Sequence, residues 1–338
     1  MEGLIKMEKL RLSLTPTPLQ HLETLSKRLG INLWMKRDDL TGDILTGGNK
    51  IRKLEYILAD ALNKGADTII TSGGLQSNHV KTTSALAIKL GLKPILLLNG
   101  KEPKVKKANL FINDILGVDI RYIEAENQKE MNKALERVAT ELKREGKRPY
   151  VIPVGGSTGL GSLGYYDAYQ ELEVQRKEKD LSFHWEFITT GSAGTFAGIY
   201  MGHKIHKSES KLIGVSPWLS EAEIKEQIID CIHDGFHLID YHEGRIESSD
   251  LHIEDGFIGE GYGIPTKEGI QALKLVATSE SILLDHVYTA KTMACLIHYV
   301  ETGWIAPNDS VLFWHTGGAS GLFAIEEQWN HLSKDFCR

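Results

Sequence analysis

Three short segments of the sequence pair small residues with a group able to do chemistry. The first is Thr46-Gly47-Gly48-Asn49-Lys50, followed by Ile51-Arg52-Lys53-Leu54-Glu55-Tyr56. Ile51, Leu54 and Leu58 recur at helical spacing, which predicts a loop that becomes a helix at Lys50. An amine at that end of a helix feels positive potential, which favours its neutral, nucleophilic form. Taken alone, the position also suits an ordinary surface lysine. The second segment is Thr190-Gly191-Ser192-Ala193-Gly194-Thr195, set between a strand and the start of a helix. Small residues there let backbone N–H groups close around a phosphate, and the helix N-terminus adds positive potential. Ser192 and Thr195 add hydroxyl donors. The pattern is neither the Gly-x-Gly-x-x-Gly of dinucleotide binding nor the Gly-Lys-Ser/Thr of a nucleotide loop. The third segment, Leu75-Gln76-Ser77-Asn78-His79, opens a helix after a glycine turn. Ser77 and Asn78 are good cap residues, and the same geometry can bind a carboxylate or a phenolate oxygen.

Two other patterns invite chemistry and are read more plainly. His203 and His206 share a helix face at i, i+3, with no third ligand in the pattern, and are read as a solvated face. Gly155-Gly156-Ser157-Thr158-Gly159 spells a hydrolase nucleophile elbow, with His315 downstream in the order that family requires. So short a match is weak evidence for a serine hydrolase.

The elements that must position these residues alternate between strand and helix. Strand-like runs are Thr68–Thr71, Pro94–Leu98, Val118–Ile123, Tyr150–Val154, Phe187–Thr190, Leu212–Ser216 and Asp309–Trp314. Helices are expected over 77–90, 110–116 and 129–145, and from about Phe196. Near-continuous apolar strands separated by helices imply parallel sheets covered on both faces, an α/β fold. Glycine turns follow four of the strands, at Gly73, Gly155, Gly191 and Gly317. Open parallel sheets bind ligands at the carboxyl ends of their strands, so the turns point to a shared pocket. Residues 219–259 are the least patterned part and are expected to form surface helices and a loop.

Bulk composition narrows the class of function. The chain has 338 residues, 41% hydrophobic and 25% charged, with 39 basic and 45 acidic side chains and a net charge of −6. Nothing in that balance recommends nucleic acid or an anionic membrane as partner. The apolar runs, such as Ile95–Leu98, are too short to span a bilayer. Cys231, Cys295 and Cys337 are widely spaced, forming neither a disulfide framework nor a metal cluster. Met1–Lys6 carries no apolar run of the signal-peptide kind. A cytoplasmic protein is expected.

Taken together and in order, these motifs resemble the fold-type II pyridoxal-phosphate (PLP) enzymes, the tryptophan-synthase-β-like superfamily. Within it the chain is similar to the 1-aminocyclopropane-1-carboxylate (ACC) deaminase and D-cysteine desulfhydrase group. The resemblance also covers Thr15-Pro16-Thr17-Pro18-Leu19, Lys36-Arg37-Asp38-Asp39-Leu40, Gly261-Tyr262-Gly263-Ile264-Pro265, Asp285-His286-Val287-Tyr288 and His315-Thr316-Gly317-Gly318. It implies two open, twisted, mostly parallel α/β domains, each a three-layer αβα sandwich, with PLP in the cleft between them. The large domain would be discontinuous, residues 1–54 and 166–338, and the small one residues 55–165. The resemblance also implies a homodimer.

The resemblance implies roles as well. Lys50 anchors PLP and later moves the Cα proton. Lys53 and Gly191, Ser192, Ala193, Gly194 and Thr195 hold the phosphate. Asn78 bonds the phenolic oxygen of the cofactor, and Ser77, Asn78 and His79 hold the substrate carboxylate. Tyr288 lies against the pyridine ring with Tyr262 nearby, and Thr316 faces the ring nitrogen. The Gly155 turn becomes a cofactor-side loop and His315 a strand-end residue.

Two departures divide the subgroups. ACC deaminases have glutamate where this chain has Thr289 and leucine where it has Thr316, and both threonines match the D-cysteine desulfhydrase pattern. His79, where many ACC deaminases have glutamine, is less telling. The expectation is therefore α,β-elimination of D-cysteine or a related β-substituted amino acid to pyruvate, sulfide and ammonia, with Thr289 near the substrate. The alternatives are ACC deamination to 2-oxobutyrate and ammonia, and a PLP-binding protein without useful turnover. A nicotinamide-dependent oxidoreductase shares the periodicity but requires the missing dinucleotide fingerprint.

Overall fold

A computed structural model describes residues 7–242, 244–326 and 329. Two strand–helix units open the chain: β1 (Leu19–His21), α1 (Glu23–Leu29), β2 (Asn32–Lys36) and α2 (Lys50–Asn63). A run of alternating elements follows: β3 (Thr68–Gly74), α3 (Asn78–Lys89), β4 (Lys93–Asn99), α4 (Ala108–Ile115), β5 (Asp119–Ile123), α5 (Gln128–Arg144), β6 (Pro149–Ile152) and α6 (Gly159–Lys179). The rest comprises β7 (Trp185–Thr189), α7 (Gly194–Ile205), β8 (Lys211–Val215), α8 (Glu221–Leu238), β9 (His252–Glu254), α9 (Lys267–Glu280), α10 (Thr289–Glu301) and β10 (Ser310–Trp314).

The strands form two sheets, ordered β5-β4-β3-β6 and β1-β2-β10-β7-β8-β9. Every pairing is parallel except β1 with β2. Each sheet is the middle of three layers. The six-stranded sheet packs Phe196, Ile228 and Tyr169 of α6–α8 on one face, and Leu25, Leu273 and Met293 of α1, α9 and α10 on the other. The four-stranded sheet carries α2 and α3 on one face through Leu54 and Leu86, and α5 on the other through Leu135 and Val138. The α/β class and the two mostly parallel sheets agree with the sequence reading.

Strand order explains where the motifs meet. From β3 the chain steps outward to β4 and β5, then returns to place β6 on the other side of β3. From β7 it steps to β8 and β9, then returns to place β10 beside β7. Ligands bind outside the carboxyl ends of strands at such reversals. The β3 and β6 ends lead to Ser77 and Gly155, and the β7 and β10 ends lead to Gly191 and Thr316.

The structure modifies expectation in two places. Residues 219–259 supply a surface helix and loop as expected, but α8 also buries Ile224, Ile228, Ile232 and Phe236, and β9 completes the six-stranded sheet. The expected domain boundaries at 54/55 and 165/166 lie within α2 and α6, each one continuous helix, and the division itself stays an expectation. His203 and His206 are half-buried beside Tyr169 rather than solvated, with Nε2 atoms 2.8 Å from Ser210 O and 2.6 Å from Gln170 Oε1. Cys231 and Cys295 are buried free thiols, while Cys337 and Met1–Lys6 lie outside the described residues.

Candidate active site

Lys50 is the first residue of α2, at the junction the sequence predicts. Its placement depends on a backbone crossing. Gly48 has φ of 104°, a left-handed conformation favouring glycine, and a β-carbon there would fall 2.8 Å from Thr316 O. The next amide, Asn49 N, donates to that carbonyl at 3.0 Å. The Lys50 segment is thereby pinned to the end of β10.

From Lys50 a ring of contacts runs through nearly every segment singled out in the sequence. Lys50 Nζ lies 3.4 Å from Ser192 Oγ. Beside Ser192, Gly191 packs so tightly on Tyr288 that a β-carbon would sit 2.9 Å from its ring. The Tyr288 and Tyr262 hydroxyls are 2.7 Å apart, and the Tyr262 ring lies over Gly74, 3.4 Å from where a β-carbon would be. Gly74 leads to Ser77, the cap of α3, whose Oγ accepts from Val80 N at 3.3 Å. Asn78 follows, with Oδ1 held by Asn109 Nδ2 at 2.8 Å and Nδ2 beside Gly318. Gly318 returns the path to Thr316. Closing the ring, Asn49 Nδ2 reaches Thr195 Oγ1 at 2.9 Å, on the first turn of α7.

Electrostatics mark one side of the ring for an anion. Lys53 is fully buried, and its Nζ donates to Ser157 Oγ at 3.3 Å. Gly194 N donates to the same oxygen at 3.2 Å, leaving the Ser157 hydroxyl hydrogen for another acceptor. Burial, followed by the nearby Lys50 charge, pushes the Lys53 pKa far down. Burial alone lowers Lys50 to about 8, and among the described residues both amines meet hydroxyls rather than a carboxylate. The first turn of α7 leaves N–H groups without helical partners, and Thr190 Oγ1, just before the loop, is buried without a hydrogen bond. A phosphate fits this cup: it would draw Lys53 back to its charged form, accept from the helix end and accept a hydrogen bond from the Ser157 hydroxyl.

Two expected substrate contacts are not in the ring. Thr289 is fully buried at the start of α10, where its hydroxyl donates to Asp285 Oδ1 and accepts from Asp285 N, both at 2.8 Å. It serves the turn that presents Tyr288, not a ligand. His79 is buried behind the cup, with Nε2 2.8 Å from Thr71 Oγ1 and Nδ1 3.5 Å from Thr83 Oγ1. Burial, then Lys50 and Lys53, hold it well below the usual histidine range, hence neutral. The hydrolase pattern also dissolves, because Ser157 faces Lys53 and His315 Nε2 faces Leu283 O at 3.1 Å.

Sequence reasoning passed over several residues. Ser157 was visible only as part of the elbow pattern. Asp285 accepts from Val287 N, Tyr288 N and Thr289 N and so orients Tyr288. Asn109 and Trp218 carry no local signal. Trp218 Nε1 donates to Gly191 O at 2.5 Å, and its ring meets Tyr262 edge-on at 5.8 Å.

A cleft between the carboxyl ends of two parallel sheets, with a phosphate cup beside an amine of lowered pKa, defines a phosphate-bearing cofactor site with a nucleophilic lysine. The sequence model of the pyridoxal-phosphate dependent enzymes matches residues 10–317, and the chain belongs to that family. It is 40% identical to a putative 1-aminocyclopropane-1-carboxylate deaminase of Pyrococcus abyssi, over 95% of this chain and 96% of that one. It is likewise 40% identical to D-cysteine desulfhydrase of Salmonella typhi, over 96% and 98% of the two chains. Among solved structures, an ACC deaminase homologue superposes with a TM-score of 0.88 at 38% identity, covering 97% of each chain. No helix among the described residues is long and apolar enough to cross a membrane.

Proposed function

We propose that the protein catalyses PLP-dependent α,β-elimination on a small β-substituted amino acid, with D-cysteine as the leading substrate. The observation that carries this reading is fully buried Lys53 in an anion cup with half-buried Lys50 beside it, each meeting a hydroxyl and neither paired with a carboxylate among the described residues. Lys53, Ser157 and the Gly191–Thr195 loop would hold the cofactor phosphate, and Lys50 would supply the amine that anchors the cofactor. Asn78 Nδ2 would donate to the phenolic oxygen, its other end fixed by Asn109. Thr316 would serve the ring nitrogen, and Tyr288 would cover the ring. When bound, PLP supplies an electron sink for the pair left on Cα.

The chain's own groups move the protons. Ser77 and the N-terminal N–H groups of α3 hold the substrate carboxylate. Lys50, with a pKa near 8, takes the Cα proton as general base. Burial and the Tyr262 oxygen hold Tyr288 well above the usual phenol range, so it stays protonated 2.7 Å from the Tyr262 hydroxyl. Tyr262 delivers its own proton to the departing sulfur. Net, D-cysteine and water give pyruvate, hydrogen sulfide and ammonia.

The neutral hydroxyl of Thr316 and the withdrawal of Thr289 into its turn leave the site without the pattern ACC deaminases carry at those two positions, which favours elimination over ring opening. ACC deamination is the second reading, favoured by a relative of equal identity bearing that name. A cytoplasmic homodimer accompanies the proposal, on the family resemblance. The test supplies D-cysteine, L-cysteine and ACC to the holoenzyme and measures pyruvate, sulfide and 2-oxobutyrate. Pyruvate with equimolar sulfide from D-cysteine is expected. Exclusive 2-oxobutyrate from ACC would replace the first reading with the second, and turnover of none would overturn both.

A further inference from the structure

We infer that Lys291 is a positioning residue for the aromatic rim of the cleft: its ammonium fastens the two loops that carry Trp218 and Tyr262. Lys291 is the third residue of α10 and is fully buried. Its Nζ donates to Ile258 O at 2.6 Å, Gly261 O at 3.3 Å and Pro217 O at 3.4 Å. An ammonium has three N–H donors, so all three go to main-chain carbonyls. Pro217 immediately precedes Trp218, and Gly261 immediately precedes Tyr262. Tyr288, the third aromatic of the rim, immediately precedes α10 itself. One nitrogen thus sets the relative position of all three rings.

The Trp218 loop has ties of its own, Ser216 Oγ to Leu219 O at 2.6 Å and Trp218 Nε1 to Gly191 O at 2.5 Å, whereas the Tyr262 loop has fewer. Tyr262 lies between Gly261 and Gly263, and Gly259 precedes them; all three have positive φ, at 148°, 77° and 70°. Such a stretch has no rigid conformation of its own. Tyr262 is 45% exposed, so its ring packs only on one side, over Gly74 and against Trp218. Its remaining anchors are the Tyr288 hydroxyl, the edge contact with Trp218, and a bond from the His286 ring to the Gly263 main chain. Burial works against the Lys291 charge and Asp285 works for it. Among the described residues Lys291 forms no ion pair, so its interactions are with the loops rather than with a carboxylate.

The inference rests on the proposed site only in that the rim faces the substrate, and its main test needs no substrate. Lys291→Met keeps the length and apolar stem and removes the three donors. In the Lys291→Met holoenzyme, chymotryptic cleavage after Tyr262 should accelerate by about tenfold or more, with faster hydrogen exchange across 256–264 and 216–219 and no comparable change in the two sheets. With whichever substrate proves active, kcat/KM should fall by about tenfold in the wild-type background and by less than about twofold in a Tyr262→Phe, Trp218→Ala background, because coupled residues are not additive. Should Lys291→Met not yield folded holoenzyme, Lys291→Gln retains two donors, and the same readouts are expected with smaller changes. Unchanged cleavage and exchange in a folded variant, or equal losses in both backgrounds, would overturn the inference. A wild-type enzyme inactive on cysteine and ACC refutes the proposed activity alone, since cleavage and exchange are still read.

Discussion

Arg52 and Lys53 are neighbours on α2, and both are buried, but only one is paired. Arg52 donates to both oxygens of Asp38, at 2.9 and 3.0 Å, and to Glu171 at 3.1 Å. Tyr165 and Thr17 hydroxyls also donate to Asp38, at 2.8 and 2.6 Å, and Lys36 pairs with Glu171. Two cations and two carboxylates cancel there. On the other side of the helix, Lys50 and Lys53 have hydroxyl partners and no acid. A charge neutralised by the fold holds elements together, here α2 to β2 and α6. A charge left without a counter-ion lowers the stability of the empty protein and is available to a ligand. The same helix therefore locks the scaffold with one face and presents chemistry with the other.

Four experiments would break or sharpen that contrast. Lys50→Ala should reduce turnover by about 10⁴-fold, roughly 5 kcal/mol, with little loss of apoprotein stability; steady-state pyruvate formation checks it, and a loss below tenfold would remove Lys50 from the chemistry. Arg52→Met should do the reverse, costing about 3–5 kcal/mol of stability because Asp38 stays buried without its counter-charge. Urea unfolding of the apoprotein measures it. Lys53→Met should leave the apoprotein as stable as before or more so. It should weaken PLP binding by roughly 10–100-fold, the worth of a hydrogen bond to a charged group, and a fluorescence titration with PLP distinguishes this from a scaffold role.

The smallest effect is in pH. Burial lowers Lys50 from 10.5 to about 8 in the folded protein, so between those values the unfolded chain binds more protons and stability rises with pH. The Asp38 pKa is depressed, with Arg52 the main charge opposing burial, so its contribution is present above the ordinary carboxylate range and lost as pH falls. Melting temperatures of apoprotein should therefore rise from pH 8 towards 10, and Lys50→Met should flatten that rise while leaving the acid limb intact. An unaltered alkaline slope would place the perturbed amine elsewhere.

The legible parts of the molecule were those with local causes. Thr68–Thr71, Pro94–Leu98 and Asp309–Trp314 read as strands because central parallel strands are buried on both faces. The α8 segment was harder: Ile224, Ile228, Ile232 and Phe236 keep helical spacing, but the intervening acids mask it, and the three residues of β9 are a strand only because β8 pairs with them. No helix was read between Tyr150–Val154 and Phe187, and α6 opens through Gly159, Gly161 and Gly164. All three glycines are packing devices: β-carbons would fall 2.4 Å from Asp234 Cβ, 2.3 Å from Gly156 O and 2.2 Å from Arg52 O.

At the site, Lys50 and the Gly191 loop were visible because helix ends and glycine turns are written locally, whereas Lys53 came only through the family resemblance. Side-chain direction was not. Thr289 and His79 lie beside ring residues in sequence, but tertiary packing turns them towards Asp285 and Thr71. Lys291 had a signal that was missed, a lysine within the apolar run Ala290–Leu296.

The crossing of Gly48 with Thr316 has a consequence in time as well as in space. During synthesis the loop bearing Lys50 leaves the ribosome long before residue 316 is made, and domains fold as they emerge. Until the later segment arrives, the loop has no carbonyl to receive Asn49 N and no Thr316 beside it. The proposed cofactor site is therefore complete only once the second sheet has gained β10, and a nascent chain cut short of that strand would lack it.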